Sequence, residues 1–424
     1  MNFFREMKWR GLVSESTPGL EQLLQSEPLT GYVGFDPTAS SLHVGSLIQI
    51  MSLSRLQRAG HTPIAIAGGG TGLIGDPSGK ASERSLLSKE EVAENLEGIA
   101  AQLGRFLDFE ARENRAVVVN NLDWLGDLAL IDFLRDIGKY FSVNAMIQKT
   151  SVKSRMDSEE GVSFTEFSYQ LLQGYDFLEL NKRYGCRLQM GGTDQWGNIV
   201  GGIDLIRRLR RVEAHGLCTP LLTTAAGAKF GKTEAGTVWL DAERTSPYQF
   251  YQFWLNSEDG DVVRLLKLFT FLGEEEIGEL GRAVLEDPER REAQRALARE
   301  VTGMTHGHGA MVRAEGIAER FFSGSLANLS ADEVLDAVGD VPVRDLPATE
   351  LEGEGVPLID LLVRAGLSSS KSEARRSVEG GGIYLLSERV RDPGYRVTAR
   401  DGVEGKILLL RRGRKNYFVV RILK

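Results

Sequence analysis

Two short segments carry residue types suited to handling phosphate. The first is Tyr32–Gln57, reading YVGFDPTASSLHVGSLIQIMSLSRLQ. An apolar run ends at Gly34 and Phe35. Asp36-Pro37-Thr38 then makes a turn, because Pro37 fixes φ and removes a donor. Val44, Leu47, Ile48, Met51 and Leu56 recur at helical spacing, with Ser40 or Ser41 the expected cap and Gly60 the expected stop. A strand, a polar turn and a helix are therefore joined, with His43 and Gly45 at the helix entrance. Free N–H groups and the positive dipole end gather there, which suits a phosphate. His43 adds a donor, and Gly45 lets a base or ribose approach the backbone. The second segment is Lys229-Phe230-Gly231-Lys232-Thr233, two lysines flanking a glycine within a loop bounded by Gly227 and Gly236. It reads as a mobile cationic loop. A lone histidine at a helix start is more often a cap, and a lysine pentamer is by default a solvated hairpin. The rest of the chain changes that reading.

Two other glycine motifs lead nowhere. Gly70-Thr71-Gly72-Leu73-Ile74-Gly75 fits GxGxxG and follows a strand. The dinucleotide fingerprint needs a helix at once, whereas Asp76-Pro77-Ser78-Gly79 is a turn. Gly79-Lys80 is no P-loop, since Ile74 and Ala81 stand where a glycine and a Ser/Thr are needed.

The elements that must position these segments alternate strand and helix through about residue 225. Thr62–Ala67, Ala116–Val119 and Cys186–Met190 read as strands, and Leu125–Gly138, Ser163–Tyr175 and Ile199–Arg211 as helices. That rhythm predicts an α/β fold with a mostly parallel sheet and ligands at the strand C-terminal ends. Residues 1–30 read as a helical lead-in. From Ser246 to Phe322 the pattern is helical, broken once at Pro288. Residues 323–355, rich in Ser, Gly, Pro and acid, read as a linker, and Val356–Lys424 as a small α+β module. The expected domains are thus 1–225 with a loop at 226–245, then 246–322, a linker at 323–355, and 356–424.

The chain has 424 residues and net charge −8. Val356–Lys424 holds 15 Lys/Arg against 7 Asp/Glu, net +8, so the other 355 residues carry −16. A basic module on an acidic body is the electrostatic footprint of nucleic-acid binding. No apolar run reaches membrane-spanning length, and Met1–Arg10 has no apolar h-region. Two cysteines, Cys186 and Cys218, fit a reducing compartment, and no Cys/His cluster has metal-ligand spacing.

His43-Val44-Gly45-Ser46 resembles the His-Ile-Gly-His motif of class I aminoacyl-tRNA synthetases, and Lys229–Thr233 resembles their Lys-Met-Ser-Lys-Ser loop, at the position where that family carries it. With Tyr32–Thr38 (YVGFDPT), Gly75–Lys80 (GDPSGK), Ser163–Asp176 (SFTEFSYQLLQGYD) and Gly191–Asn198 (GGTDQWGN), nearly the whole chain resembles the bacterial-type tyrosyl-tRNA synthetases. Tryptophanyl-tRNA synthetases share the two loops but not Tyr32 with Asp176. The resemblance implies a Rossmann-like catalytic domain, a helical domain recognising the anticodon arm, and a small RNA-binding domain. It also implies ligation of L-tyrosine to tRNA(Tyr) with ATP, by a cytoplasmic homodimer that needs no membrane and no structural metal, with Mg²⁺ arriving on ATP.

The resemblance also implies roles. Tyr32 and Asp176 meet the phenol. Asp76, Tyr169 and Gln173 hold the α-ammonium, and Gln195 lies near the carboxylate. Gly34, Asp36, His43, Gly45, Ser46, Gly192, Asp194 and Lys232 take ATP. Thr38 and His43 meet the γ-phosphate end, while Lys80, Arg84, Lys229 and Lys232 close over pyrophosphate. The residues agree physically. Tyr169, Gln173 and Asp176 fall at i, i+4 and i+7, on one helical face. A bound phenylalanine would leave Tyr32 and Asp176 unpaired. Departures from the pattern are Ser46 at the second histidine, Val33 without a polar group toward the ribose, and Phe230-Gly231 with Thr233 in the second loop. They are expected to tune ATP binding without abolishing activity. For RNA, the candidates are Lys371, Arg375, Arg376, Arg411, Arg412, Arg414 and Lys415, with Arg207, Arg208, Arg210 and Arg211 toward an acceptor stem. Leu125–Gly138 is the expected dimer face. The alternatives are an RNA-binding relative without catalysis, against which His43, Asp76, Asp176, Lys229 and Lys232 all stand, and a nicotinamide enzyme, against which Pro77 stands.

Overall fold

The computed structural model describes residues 2–76, 87–149, 152–153, 156, 161–223, 230–233, 236–323, 326, 329–339, 341–413 and 416–423, with only the backbone at 232, 233 and 322. The chain packs as two compact units. One is Met1–Thr245 with Trp254–Thr305, the other Ser246–Phe253 with His306–Lys424.

The first unit is built on a six-stranded sheet of β1 (Glu15–Ser16), β2 (Thr30–Phe35), β3 (Thr62–Ala67), β4 (Val117–Asn120), β5 (Leu188–Gly192) and β6 (His215–Thr219). Their order is β1-β6-β5-β2-β3-β4, parallel except for β1. The chain winds outward from β2 to β4, then crosses back to β5, so β2/β5 is the switch point at which such sheets bind ligands. The register opens a crevice there. β2 pairs β5 only at Gly31↔Leu188 and Tyr32↔Gln189, while β2–β3 pairing continues to Phe35↔Ala67 and β5–β6 pairing to Gly192↔Thr219. Tyr32, Ile64, Ile66, Val119, Phe177, Leu178, Leu180 and Cys186 share one buried cluster on the sheet.

Helices fix the site elements. The helix Phe164–Tyr184 starts at a capping box, where Ser163 Oγ accepts from Glu166 N and Glu166 Oε2 from Ser163 N, and ends at Gly185 with φ 63°. It runs nine residues beyond the expected end at Tyr175. The expected single helix Leu125–Gly138 is two short ones, Leu122–Leu125 and Leu130–Asp136, with residues 126–129 between them. The lead-in is two helices, Phe3–Trp9 and Leu20–Ser26, separated by β1.

Residues 246–322 are helical as expected, with Pro288 opening a short turn, but they do not stand as one body. The stretch 254–305 belongs to the first unit, and buried arginines show why. Arg55 donates to the carbonyls of Leu268 (2.8 Å) and Thr270 (2.9 Å), and Arg10 to those of Lys267 and Leu272 (both 2.8 Å). They satisfy carbonyls in the last turn of the helix Asp259–Phe269 and just beyond it, Arg55 from the helix Leu47–Arg58 and Arg10 from the end of Phe3–Trp9.

In the second unit a five-stranded sheet runs Glu388–Val390, Ile383–Leu385, Ile407–Arg412, Asn416–Leu423, Val343–Pro347. Its core gathers Leu346, Leu358, Leu362, Ala374, Ile383, Leu408, Leu410, Phe418 and Val420. The linker expectation for 323–355 is corrected here. That stretch supplies the capped helix Ala331–Val338 and the edge strand Val343–Pro347, paired parallel to Asn416–Leu423 with Leu346 buried. Its Ser, Gly, Pro and acidic content marks turns and caps around a structured stretch.

Candidate active site

A cavity of about 640 Å³ lies over the β2/β5 crevice. Its wall includes Tyr32, Gly34, Asp36, Thr38, His43, Gly45, Ser46, Asp76, Tyr169, Gln173, Asp176, Gly192, Asp194 and Gln195. Every tyrosine-side residue expected from the sequence is among them, as is every ATP-side residue except Lys232. Lys80, Arg84 and Lys229 lie outside the described residues, and so does the side chain of Lys232.

One end is closed and buried. The Tyr32 hydroxyl is buried with no hydrogen-bond partner among the described residues, its ring 5.2 Å from that of Phe177. Asp176, 3% exposed, accepts from Trp124 Nε1 at 2.7 Å and Asn121 Nδ2 at 2.9 Å. Burial pushes its carboxyl up to about 7, although those two donors pull it down. Burial also raises the Tyr32 phenol well above its usual range, and the Asp176 charge adds to this. Asn121 is itself held, donating to Thr71 Oγ1 and accepting from Gly70 N. The sequence reading missed Asn121 and Trp124 as site residues. The available signal was a pair of asparagines at the C-terminal end of a parallel strand, where the crevice had to be.

A polar chain lines the middle. Gln195 Nε2 donates to Asp76 Oδ2 (2.8 Å), Gln173 Nε2 to Gln195 Oε1 (3.2 Å), and Asn198 Nδ2 to Gln173 Oε1 (2.8 Å). Tyr169 donates to Asp36 at 3.3 Å. The buried Asn198, also missed from sequence, orients the Gln173 amide with its oxygen as acceptor. The carboxylates of Asp36 and Asp76 give this region the sign that suits an ammonium.

The other end is open. His43, not Ser40 or Ser41, caps the turn Val44–Ser46. Its Nδ1 accepts from Gly45 N at 3.0 Å, which leaves the proton of the neutral ring on Nε2. Trp239 meets the His43 ring edge-on at 6.2 Å. Gly231 brings the second loop against the first, since at φ +86° a Cβ there would lie 2.6 Å from Val44. Gly192 ends β5, and Asp194 follows in the turn Thr193–Gln195.

In the second unit the basic residues divide. Arg412 is engaged internally, with Glu373 at 2.9 Å and the Leu367 carbonyl at 2.6 Å, and Lys371 pairs with Asp360 at 2.7 Å. Arg375 and Arg376 are exposed, and Arg411 lies over the Tyr384 ring at 4.0 Å. Arg414 and Lys415 lie outside the described residues. Arg207 and Arg208 both pair with Asp204. Cys186 and Cys218 are free and buried. Among the described residues, no group of three or more His, Cys, Asp or Glu could hold a metal, and no helix is long and apolar enough to cross a membrane.

A parallel sheet split at its switch point, with a histidine-capped turn on one side and a Gly-Gly-Thr-Asp-Gln turn on the other, defines a nucleotide-dependent α/β enzyme. Residues 24–323 match the family model described as tRNA synthetases class I (W and Y), and residues 340–420 the one described as Tyrosine--tRNA ligase SYY-like C-terminal domain. The chain belongs to the class I tRNA synthetases, in the tyrosine–tRNA ligase branch. It is 57% identical over 418 residues to the tyrosine–tRNA ligase of Roseiflexus castenholzii, covering 99% of each chain. It is 53% identical over 424 residues to that of Geobacillus stearothermophilus, covering 99% of this chain and 100% of the other. A solved structure of the C-terminally truncated Aspergillus nidulans mitochondrial tyrosyl-tRNA synthetase superposes with TM-score 0.69 at 30% identity, covering 76% of this chain and 94% of that one. The activity is therefore activation of L-tyrosine by ATP and transfer of tyrosine to tRNA.

Proposed function

We propose that tyrosine lies with its phenol at the closed end of the cavity and ATP along the open end, so that the reacting carboxylate and α-phosphorus meet between Gln195 and His43. The observation that carries this is the Tyr32 hydroxyl, buried with no hydrogen-bond partner among the described residues, and the buried Asp176 carboxylate fixed by two donors. A phenol supplies what both lack. Its O–H donates to Asp176, and its oxygen accepts from Tyr32. Asp76, Gln173 and Tyr169 receive the α-ammonium, and Gln195 stands next to the carboxylate.

The tyrosine carboxylate attacks the α-phosphorus, forming tyrosyl-adenylate as pyrophosphate leaves. No protein nucleophile takes part, so positioning and charge stabilisation carry the rate. Thr38 and His43 meet the far phosphates, with Nε2–H of His43 as the donor. Gly34, Asp36, Gly45, Ser46, Gly192 and Asp194 flank the nucleoside. Lys80, Arg84, Lys229 and Lys232 clamp pyrophosphate, and Mg²⁺ arrives as part of the ATP substrate. In the second step a ribose hydroxyl of the terminal adenosine of tRNA(Tyr) attacks the adenylate carbonyl and AMP leaves.

The helical stretch 246–322 is proposed to read the anticodon arm. The basic module is proposed to contact RNA phosphates through Arg375, Arg376, Arg411, Arg414 and Lys415, with Arg412 and Lys371 supporting its fold. A homodimer is favoured by Leu130, Ile131 and Phe164, which are 67%, 72% and 81% exposed. Phe164 opens the very helix that carries Tyr169, Gln173 and Asp176. Two free buried cysteines suit a cytoplasmic location. Tyrosine-dependent ATP–pyrophosphate exchange in Asp176→Ala tests the placement. Exchange is expected to fall ~30- to 5000-fold with folding intact, and near-normal exchange would refute it.

A further inference from the structure

The helix Lys89–Leu103 lies behind the first signature loop and grips it along one face. Asn95, Gly98 and Gln102 fall at i, i+3 and i+7. Asn95 Nδ2 donates to the Pro37 carbonyl at 2.9 Å. Gly98 lets the helix backbone close on the loop, because a Cβ there would lie 2.1 Å from the Ser40 carbonyl oxygen. Gln102, 8% exposed and outside the cavity wall, makes the third hold. Its Oε1 accepts from Leu42 N at 2.9 Å, so its Nε2 faces Ser41 Oγ, also at 2.9 Å. The Ser41 hydroxyl donates to the Leu42 carbonyl at 2.7 Å and accepts a further bond from Asp241 N at 3.2 Å.

Those bonds reach the other signature loop. Leu240 N donates to the Leu42 carbonyl (2.9 Å), Val44 N to the Val238 carbonyl (3.0 Å), and Val238 N to the Gly231 carbonyl (3.2 Å). His43 itself pairs with Trp239 as an antiparallel bridge. Residues 42–44 thus pair, through an isolated bridge at His43, with the return segment of the lysine loop, and Gln102 sits at the root of that pairing. The amide of Gln102 fixes both the direction of the Ser41 hydroxyl and the register of that pairing.

We propose that Gln102 is a positioning residue for tyrosine activation. Through Ser41 and Leu42 it holds the His43 loop and the lysine loop in one register over the phosphates. It touches neither substrate, so its loss acts on ATP-side chemistry and leaves the phenol end alone. This rests on the proposed placement of ATP. The tyrosine-affinity readout separates the two, since Asp176→Ala tests the phenol end independently.

The test uses the full-length enzyme, with single-turnover formation of tyrosyl-adenylate measured against ATP concentration. Tyrosine affinity is measured by intrinsic fluorescence and folding by thermal midpoint. Gln102→Leu keeps side-chain bulk and removes both bonds. Its adenylate rate is expected to fall about 10- to 100-fold while tyrosine affinity stays within about twofold. Gln102→Glu keeps the acceptor for Leu42 N and should recover part of the rate. Ser41→Ala combined with Gln102→Leu should be no slower than Gln102→Leu alone, because both act through one node. A folded Gln102→Leu with an unchanged rate, or with rate and tyrosine affinity falling together, would overturn the proposal. If Gln102→Leu does not fold, Gln102→Glu decides by the same two readouts.

Discussion

At the closed end of the cavity Tyr32 and Asp176 are 2% and 3% exposed, and Asn121 and Trp124 back the carboxylate from the interior. At the open end His43 is exposed, and Gly45, Ser46, Gly192 and Asp194 are partly so. The first arrangement is costly in the free protein, since it buries a hydroxyl with no partner among the described residues and a carboxyl pushed up by its burial. The second buries little and relies on main-chain geometry. The contrast separates two tasks. On the proposed placement, recognition of a phenol is built into buried groups before substrate arrives. On the same placement, phosphate handling falls to a histidine-capped turn and two loops, whose contacts would matter most as charge develops on the departing pyrophosphate.

Substitutions at the two ends should therefore fail in different ways. Asp176→Ala, which also strands the N–H groups of Asn121 and Trp124, is expected to lower kcat/KM for tyrosine by about 2–5 kcal/mol, ~30- to 5000-fold, in pyrophosphate exchange. His43→Ala and Lys232→Ala should each slow adenylate formation ~100-fold with tyrosine affinity nearly unchanged, as read by single-turnover kinetics against fluorescence titration. An equal loss in both readouts would erase the distinction.

The pH response sharpens it. Asp176 has its carboxyl raised from 3.8 to about 7. Below pH 3.8 it is protonated in both folded and unfolded chains. Between 3.8 and 7 the folded chain holds the extra proton, so stability falls as pH rises across that window and levels off above it. Wild-type stability should show this slope in ligand-free denaturation, and Asp176→Asn should remove that part of it. Because the phenol donates to the ionised form, tyrosine affinity should fall about tenfold from pH 8 to pH 6. The smallest effect concerns assembly. Ile131→Asp, placing a charge on an exposed apolar face, is expected to raise the dissociation constant of the proposed dimer ~10-fold in sedimentation.

Much of the closed end was legible in the sequence because its residues sit at fixed offsets on single elements. Tyr169, Gln173 and Asp176 share one helical face, and Tyr32 lies on the strand beside it. What the sequence hid was second contacts from distant segments. Asn121 and Trp124 reach Asp176 from 55 and 52 residues away, and Gln102 reaches Leu42 from 60. Such pairs follow from the sheet order, which local periodicity does not encode. His43 takes the cap in place of Ser40 or Ser41 because the chain enters through a 3₁₀ turn, which frees Ser41 to bind Gln102. The stretch 323–355 was read as a linker because its strand pairs with the last strand, far along the chain.

The central claim is that the phenol end recognises tyrosine through its hydroxyl. It is met most directly by pyrophosphate-exchange kcat/KM for tyrosine and for phenylalanine, in the wild-type enzyme and in Tyr32→Phe. The account predicts that the tyrosine value falls about tenfold while the phenylalanine value is unchanged or rises, narrowing the preference. Equal changes for both substrates would contradict it.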